Sequence, residues 1–380
     1  MGCVLAACGS AKATSSPASS TAVYRFGVVG SGGKITQLER GTATVVSGIS
    51  GVVVQIATSN SDGYALTSGG TVWAWGVNAY GELGNGTTSP YDTRAVKVDF
   101  PAGVKIATLA NPMPFDGALA IDSHDHAWGW GLNAESDLCL SGLEELRPKQ
   151  LALSDVTLAT GALTHSLFDS NGRVVACGSG QYGVLGNGTT IASPVPTAVI
   201  GLPSTARVTA LTSSWGDAGA LLSNDTYYNW GYNVAGQLGN GTTADSAVPV
   251  KVELPAAVRQ VFQGGSGATN GQTIVILTNG SVWSWGTNTK GQLGDGNTVS
   301  SDVPLRVKVP KGVTFVKVNS GGYACYAIDS SGRLWAWGGN QNGQLGTGTG
   351  TRFETYPVDV GIRLTQVSST ASNVAGFDRS

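Results

Sequence analysis

One segment recurs along the chain and constrains what the chain can fold into. Its clearest copy, VWSWGTNTKGQLGDG, runs from Val282 to Gly296 and contains a short strand-like run, a Trp-Gly pair and a Gly-rich loop. Related copies begin at Val72, Val174, Tyr227 and Leu334, and a weaker copy begins at Ala127. Repetition with a period of about 20–50 residues is the signature of a repeat array, in which each unit buries its apolar face against its neighbours.

The Gly of each Trp-Gly pair marks the phase of the repeat. These phase markers are Gly76, Gly131, Gly178, Gly231, Gly286 and Gly338. Three more short runs, rich in β-branched and aromatic residues and bounded by Gly, Pro, Asn and Ser, lie between successive markers, which predicts four strands per unit. Four strands in about 50 residues is typical of a β-propeller blade.

The two ends of the chain complement each other. Phe26-Gly27 stands about one period before Gly76 and supplies a seventh marker, at residue 27. Residues 363–380 match the third and fourth strands of a unit and stop before its Trp-Gly strand, which residues 23–27 provide. The sequence therefore predicts an all-β, seven-bladed β-propeller of four-stranded blades over residues 23–380. Its N-terminal strand would complete the last C-terminal blade, which closes the ring and removes an edge strand.

The repeated motif also carries a family resemblance. Trp-Gly-x-Asn-x-x-Gly-Gln-Leu-Gly-x-Gly resembles the repeat of the regulator-of-chromosome-condensation family, and the resemblance covers residues 23–380. It implies a seven-bladed propeller, with partner contacts on one row of loops in the members that bind proteins. It says little about function, because one scaffold hosts many functions.

The amino-terminal sequence predicts where the protein is located in the cell. Leu5-Ala6-Ala7-Cys8 resembles a bacterial lipobox, in which the cysteine is lipidated. Seven residues precede Cys8, too few for the basic and apolar regions of a signal peptide, so an ordinary disordered terminus stays open. Residues 9–22, rich in Ser, Ala and Thr, have the composition of a flexible tether. We expect an extracytoplasmic bacterial protein, secreted or lipid-anchored, that meets the membrane only through Cys8.

The charge of the chain argues against a nucleic-acid partner. Charged residues make up 12% of the chain, the net charge is −2, and no Lys/Arg cluster is visible in the sequence. No metal-type cysteine spacing occurs. Cys177 stands where other copies carry Trp, which favours a small buried hydrophobe. A disulfide among Cys139, Cys177 and Cys325 stays open.

The search for chemistry finds no catalytic set, and we expect no enzyme activity, no cofactor and no metal. His124-Asp125-His126 falls on the tip of a predicted hairpin, where a turn is the simpler interpretation. The calcium-loop-like Asp169-Ser170-Asn171-Gly172 occupies the same place in another copy.

The copies differ most between the third and fourth strands of each unit, and we call these segments the lip loops. Equivalent loops of a propeller emerge on one face around its channel, so their aromatic and acidic residues would form a ring suited to a partner. The predicted partner-binding residues are Asp62, Tyr64, Phe115, Asp116, His165, Trp215, Asp217, Gln272 and Tyr323. Inward packing of some of these side chains stays open. The divergent loop 135–147 is a second candidate contact, or a decayed copy.

These features favour a monomeric, non-enzymatic scaffold on the bacterial cell surface that binds a protein or a cell-wall polymer. One alternative is a polysaccharide hydrolase or lyase with Asp62, Asp116, His165 and Asp217 converging in the channel. Another is a guanine-nucleotide-exchange-like regulator, the activity that the family resemblance implies and that the low charge disfavours.

Overall fold

Strands account for almost all regular structure in the computed structural model. It describes residues 22–27, 29–31, 34–36, 44–265, 267, 270–341, 343–369 and 373–378, and only the backbone of strands 22–27, 29–31, 34–36, 44–45 and 373–378. Within these ranges the one helical element is a 3-10 turn at Gln181–Gly183. Cys8 and the predicted tether before residue 22 lie outside the described residues.

Six four-stranded antiparallel sheets, each made of strands consecutive in sequence, form blades 1 to 6. The strands before them are β1 (Ala22–Gly27), β2 (Val29–Ser31), β3 (Lys34–Thr36) and β4 (Thr44–Val45). Blade 1 contains β5 (Val53–Thr58), β6 (Asp62–Thr67), β7 (Val72–Asn78) and β8 (Ser89–Lys97). Blade 2 contains β9 (Ile106–Leu109), β10 (Gly117–Asp122), β11 (Ala127–Leu132) and β12 (Glu144–Gln150). Blade 3 contains β13 (Val156–Gly161), β14 (His165–Ser170), β15 (Arg173–Gly178) and β16 (Ser193–Ala198).

The remaining three blades repeat this order from the innermost to the outermost strand. Blade 4 contains β17 (Val208–Ser213), β18 (Asp217–Leu222), β19 (Tyr227–Gly231) and β20 (Ser246–Lys251). Blade 5 contains β21 (Val258–Gly264), β22 (Gln272–Leu277), β23 (Val282–Gly286) and β24 (Ser301–Arg306). Blade 6 contains β25 (Phe315–Ser320), β26 (Ala324–Asp329), β27 (Arg333–Gly339) and β28 (Phe353–Arg363). The last strands are β29 (Gln366–Ser369) and β30 (Asn373–Asp378).

The predicted number of seven blades is wrong: six units have the blade pattern. The two chain ends instead build a composite sheet, which we call the closing sheet, in the order β29-β30-β1-β4. β1 pairs with β30 from Ala22 opposite Asp378 to Gly27 opposite Asn373. The departure has a cause in the sequence. No Gly-x-Leu-Gly-x-Gly loop follows β1; the β2–β3 hairpin lies there, and the outer strand β4 has 2 residues.

The phase markers lie at or within two residues of the end of the third strand of each blade, and their conformation requires glycine. Gly286 has φ +98°, and a Cβ there would lie 2.5 Å from the carbonyl oxygen of Gly271. An L-residue is disfavoured at such a φ, and the close approach leaves no room for a side chain.

Indole rings from one blade lock onto the Gly-rich loop of the preceding blade. Trp285 of blade 5 is fully buried and donates its Nε1–H to the carbonyl of Gln237 at 2.9 Å. A Cβ on Gly239 of that loop would meet the same indole at 2.6 Å. The pairs Gly84–Trp130, Gly186–Trp230 and Gly294–Trp337 repeat this arrangement at three other boundaries. These four Trp rings are fully buried and build the core between the blades.

The boundary between blades 2 and 3 uses a disulfide instead. Cys177 takes the place of the indole-bearing residue, Cys139 takes the place of the loop glycine, and the two are bonded. Cys139 keeps the glycine conformation, with φ 54°. Cys177 is buried as expected, but the interpretation of it as a free small hydrophobe is wrong. Cys325 is a free, buried cysteine.

The inside of the ring is crossed by an irregular segment of blade 2. β9 ends at Leu109, and residues 110–116 then leave the sheet. Met113 donates its backbone N–H to Thr58 of blade 1, and Phe115 donates its own to Ala162 of blade 3. On the opposite side, Ser368 of the closing sheet donates to Asn111 Oδ1 at 2.9 Å. We call residues 111–115 the axial segment, because it separates the cavities at the two ends of the ring axis.

Candidate interaction surface

Four predicted lip residues lie in the interior rather than on the surface. Asp62, His165, Asp217 and Gln272 each begin the second strand of a blade, opposite a phase marker, and each is at most 2% exposed. Side chains of a paired strand point to the two faces of its sheet, and neighbouring blades cover both faces. These four side chains are therefore buried between blades. The expectation of an exposed ring at these four positions is therefore corrected; their part in binding a partner stays a prediction.

Their contacts are with the neighbouring blade. Asp217 accepts a hydrogen bond at 2.6 Å from Nε2 of Gln263 in blade 5. Gln272 donates to Ser320 Oγ and to the Gly321 carbonyl of blade 6, at 2.9 and 2.7 Å. Burial raises the pKa of Asp217 to about 7 and lowers the pKa of His165 to about 3, because both charged forms are poorly solvated.

Tyr64 is also part of the core. Its ring is fully buried, and its hydroxyl donates to the Glu82 carbonyl at 2.9 Å, the same oxygen that accepts the indole N–H of Trp130. Burial, followed by the charge of Glu82, raises the pKa of the nearby Asp62. A partner cannot touch Tyr64 without opening the blade.

The other four predicted residues are half-buried. Phe115 ends the axial segment and Asp116 follows it, Trp215 lies in the lip loop of blade 4, and Tyr323 lies in that of blade 6. Asp116 accepts a hydrogen bond from Ser61 at 3.3 Å, and burial raises its pKa. These four remain available at the surface.

Trp215 belongs to a three-ring cluster whose other members the sequence analysis missed. Its ring centroid lies 5.6 Å from that of Tyr182 and 5.7 Å from that of Tyr232, and the two tyrosine rings are 4.6 Å apart. All three rings are partly exposed. We call them the aromatic cluster. Trp and Tyr are the residues that most often anchor protein interfaces.

The loop of blade 3 that carries Tyr182 has a glycine where the other five blades have an asparagine, and it takes a different turn. In five other blades an Asn two positions after the marker accepts the backbone N–H of the loop Leu, as Asn233 does from Leu238 at 2.9 Å. Blade 3 has Gly180 at this position, and a 3-10 turn follows. Tyr182 is held at φ 62°, which is uncommon for a tyrosine and typical of functional sites. The missing Asn in GSGQYGVLG was the available signal.

A cavity of about 420 Å³, counting its open mouth, lies at the lip end of the axis. All six blades and β29 contribute to its wall. Phe115, Met113 and Leu163 form an apolar side, and Gln263 brings an amide whose Oε1 has no hydrogen-bond partner among the described residues. The axial segment is the floor of this cavity, so no open channel runs through the ring at this point.

The geometry does not assemble the catalytic alternative. Asp62, Asp116, His165 and Asp217 do not line the lip cavity, and the ring of His165 contacts Thr164 rather than a carboxylate. Within the described ranges, no group of three or more His, Cys, Asp or Glu side chains could hold a metal ion. His124 and Asp125 lie on the β10–β11 hairpin tip, as expected, and His126 Nδ1 lies 3.1 Å from Asp122.

Loop 135–147 keeps the loop geometry of the other blades despite its changed sequence. Asn133 accepts the backbone N–H of Leu138 at 2.9 Å, as its counterparts do, and Ser136 takes a glycine conformation at φ 60°. Its Cys139 supplies half of the disulfide. The loop therefore has a structural role.

No helix in the described part of the chain is long and apolar enough to cross a membrane.

Two protein-family models match the repeats of this chain. The model of the regulator of chromosome condensation (RCC1) repeat matches residues 69–110, 171–217, 224–268, 279–328 and 331–375, more than half of the chain. A second model of the same repeat matches residues 315–344.

Among curated proteins, the ultraviolet-B receptor UVR8 of Arabidopsis thaliana is 27% identical over 82% of this chain and 70% of its own length. The E3 ubiquitin-protein ligase HERC2 of Homo sapiens is 26% identical over 78% of this chain, which corresponds to 6% of that much longer protein.

Among solved structures, human WBSCR16 superposes with a TM-score of 0.82 at 19% identity, covering 95% of this chain and 99% of that one. Yeast RCC1 (Prp20), solved with Kap60, gives a TM-score of 0.72 at 19% identity over 86% and 80% of the two chains. At this identity, these two structures support the fold alone.

Proposed function

The chain belongs to the regulator of chromosome condensation (RCC1) repeat family, and we propose that it is a non-enzymatic interaction module. It works outside the bacterial cytoplasm, where its lip face binds a protein partner. The aromatic cluster of Tyr182, Trp215 and Tyr232 is the observation that carries this proposal. Three partly exposed rings in mutual contact, on loops of a rigid ring, have the composition of an interface hot spot.

The relatives support a binding role. Yeast RCC1 (Prp20) was solved with Kap60 bound, and a second structure of Prp20p concerns its binding to Gsp1p and histones. UVR8 is a receptor and HERC2 a ligase. Transfer of a protein-binding role to this chain is our inference, since the identities are low.

The disulfide supports the proposed compartment. Disulfides persist in oxidising environments and are rare in the cytosol. Cys139 and Cys177 replace a Gly–Trp pair at a buried boundary, so the blade 2–blade 3 contact depends on oxidation. Together with the lipobox-like Leu5-Ala6-Ala7-Cys8, this favours an extracytoplasmic protein anchored through Cys8.

The alternatives have less support. The hydrolase or lyase lacks an assembled set of acid and base residues, because Asp62, His165 and Asp217 are buried in three different blades and His165 contacts Thr164 rather than a carboxylate. The exchange-factor alternative rests on the family resemblance, and no observation on the lip face favours it over another protein partner.

The test is a capture experiment with a matched control. The double variant Trp215→Ala/Tyr232→Ala removes two rings of the cluster. Tyr80→Ala is the control. Tyr80 is an exposed tyrosine of blade 1, at the loop position that Tyr182 occupies in blade 3, and no other aromatic ring contacts it within the described residues. Each protein is used to capture cell-envelope proteins, and captured candidates are purified and titrated by calorimetry.

We expect a partner whose affinity falls at least about tenfold with the double variant and stays unchanged with Tyr80→Ala, because hot-spot truncations typically cost 2 kcal/mol or more. Equal affinity for the double variant and the wild type contradicts the lip-face proposal. The anchor is tested separately, by mass spectrometry of Cys8 and by membrane fractionation.

A further inference from the structure

The end of the ring opposite the lip loops is basic where blades 5 and 6 meet. Innermost strands begin at this end, and outermost strands finish there. Six exposed cations lie at or beside these strand ends. They are Arg259, Arg306, Lys311, Lys317, Arg333 and Arg363. We call this set the basic face. It is invisible as a run in the sequence, because its members come from five separate segments.

Contacts with the neighbouring sheet fix the positions of two of these cations. Arg259 of blade 5 donates to the carbonyl of Phe315 in blade 6 at 3.3 Å. Lys317 of blade 6 donates to the carbonyl of Thr365, just before β29, at 2.7 Å. An open cavity of about 1360 Å³, counting its mouth, has Arg306 and Lys308 in its wall and no carboxylate.

The carboxylates at this end do not balance the cations. Asp359 pairs with Arg333 at 3.4 Å. Asp329 is buried, which would raise its pKa, but hydrogen bonds from Ser331 and from the Trp335 indole outweigh burial and lower its pKa to about 2. Asp225, on a hairpin tip of blade 4, lies near Arg259, and Glu253, just after β20, pairs with Lys251 at 2.8 Å. The basic face therefore keeps an excess of positive charge.

The first strand begins on the same end of the ring. Val23 and Gln366 both pair with Phe377, so the start of β1 is level with the start of β29. Gln366 follows Thr365, the residue that Lys317 contacts. The chain before Ala22 therefore joins the ring at the basic face, away from the lip loops.

We infer that the basic face is the membrane-facing surface of the protein and binds the anionic headgroups of a lipid bilayer. Its orientation rests on the proposed anchor at Cys8. The tether that the composition predicts before β1 would span on the order of 20 Å, which would keep the face close to the bilayer. Exposed Val316, between the cations, can enter the headgroup region. The lip loops then point away from the membrane, toward a partner.

The experiment measures vesicle binding by the full chain carrying Cys8→Ser, so that no attached lipid contributes. The vesicles are phosphatidylcholine alone or a mixture with phosphatidylglycerol. Arg306→Glu/Lys311→Glu reverses two charges on the basic face, and neither side chain makes a hydrogen bond or ion pair among the described residues. Lys290→Glu/Arg352→Glu makes the same change of net charge on the lip side and is the matched control.

We expect binding to the anionic vesicles that weakens with salt, and a loss of at least about 25-fold with the basic-face variant, since each cation near an anionic surface contributes about fivefold. The lip-side control should stay within about threefold of the parent. Equal loss for both variants, no preference for phosphatidylglycerol, or stronger displacement by inorganic phosphate than by chloride at equal ionic strength overturns the inference. An unlipidated Cys8 in the native protein refutes the anchor instead, and leaves the vesicle result standing.

Discussion

Two kinds of blade boundary are present in this ring, and they solve one packing problem differently. At four boundaries an indole from one blade fills the space above a loop glycine of the blade before it, as Trp285 does over Gly239. At the boundary of blades 2 and 3, Cys139 and Cys177 meet in the same two positions. The identities of the two residues are coupled, because a Cβ at the loop position leaves no room for an indole.

The difference concerns what each boundary depends on. The Gly–Trp boundaries are held by burial of a large ring and by one indole hydrogen bond, so they are stable in any redox environment. The cysteine boundary buries less apolar surface and gains a covalent link between residues 38 apart in sequence. Its stability is therefore conditional on oxidation, and the molecule has one redox-dependent boundary in an otherwise redox-independent ring.

The largest expected effect is on a Gly–Trp boundary. Trp285→Ala removes a fully buried ring and should lower the free energy of unfolding by about 3–5 kcal/mol. Urea unfolding followed by circular dichroism measures it. Trp283→Ala, two residues earlier and partly exposed, is the control and should cost clearly less. Equal losses for both variants would mean that the indole at the blade boundary contributes no more to the free energy of unfolding than the partly exposed one.

Reduction tests the cysteine boundary. Dithiothreitol should lower the free energy of unfolding of the wild type by about 3–4 kcal/mol, because breaking the link frees a loop of this length in the unfolded chain. The same urea titration, with and without the reductant, gives the value. Cys139→Ala/Cys177→Ala should be as unstable as the reduced wild type and indifferent to the reductant.

Conversion of one boundary type into the other sharpens this result. Cys139→Gly/Cys177→Trp restores the pair found at the other four boundaries and should recover most of the lost stability while becoming insensitive to dithiothreitol. Cys177→Trp alone should be the least stable of the set, since the Cys139 side chain occupies the site of the ring. Stability of the single variant equal to that of the double would refute the coupling of the two positions.

The smallest effect is on pH dependence. Asp137 precedes Leu138 in the loop of the cysteine boundary, where three other loops carry Gln, and burial raises its pKa to about 7. The folded state therefore holds a proton that the unfolded chain, with a pKa of about 3.9, releases earlier. This contribution is fully present below about pH 4 and is lost as the pH rises through about 7.

Asp137→Asn should remove this part of the dependence, so that the variant loses less unfolding free energy than the wild type as the pH rises from about 4 to about 8. Chemical unfolding across that range measures it. A constant difference would show that Asp137 is ionised in the folded protein.

The repeat predicted the strands well because its signals are local. Each phase marker lies at or within two residues of the end of a third strand, and alternation within the Trp-x-Trp-Gly runs places the indoles in the core. The number of blades was wrong because β4 has 2 residues and no repeat motif marks it. A strand that short is set by its neighbours rather than by its own sequence.

The candidate site was harder, because it depends on distances between blades. The sequence suggested that Asp62 and Tyr64 lie in an exposed loop, but both belong to the second strand of blade 1 and are fully buried. Tyr182 and Tyr232 lie 50 residues apart and meet only when blades 3 and 4 pack. The disulfide was one open possibility, since the sequence alone does not show that the loop at Cys139 reaches Cys177.

The pairing of β1 with β30 determines how the ring responds to mechanical load. Ala22 lies opposite Asp378, so the start of β1 and the end of β30 lie at the same end of the paired strands. A pull that separates them loads the hydrogen bonds one at a time, as a zipper opens, rather than all together in shear. A protein held at its amino end and pulled through residues beyond 378 would therefore yield at the closing sheet first, with blades 1 to 6 still folded.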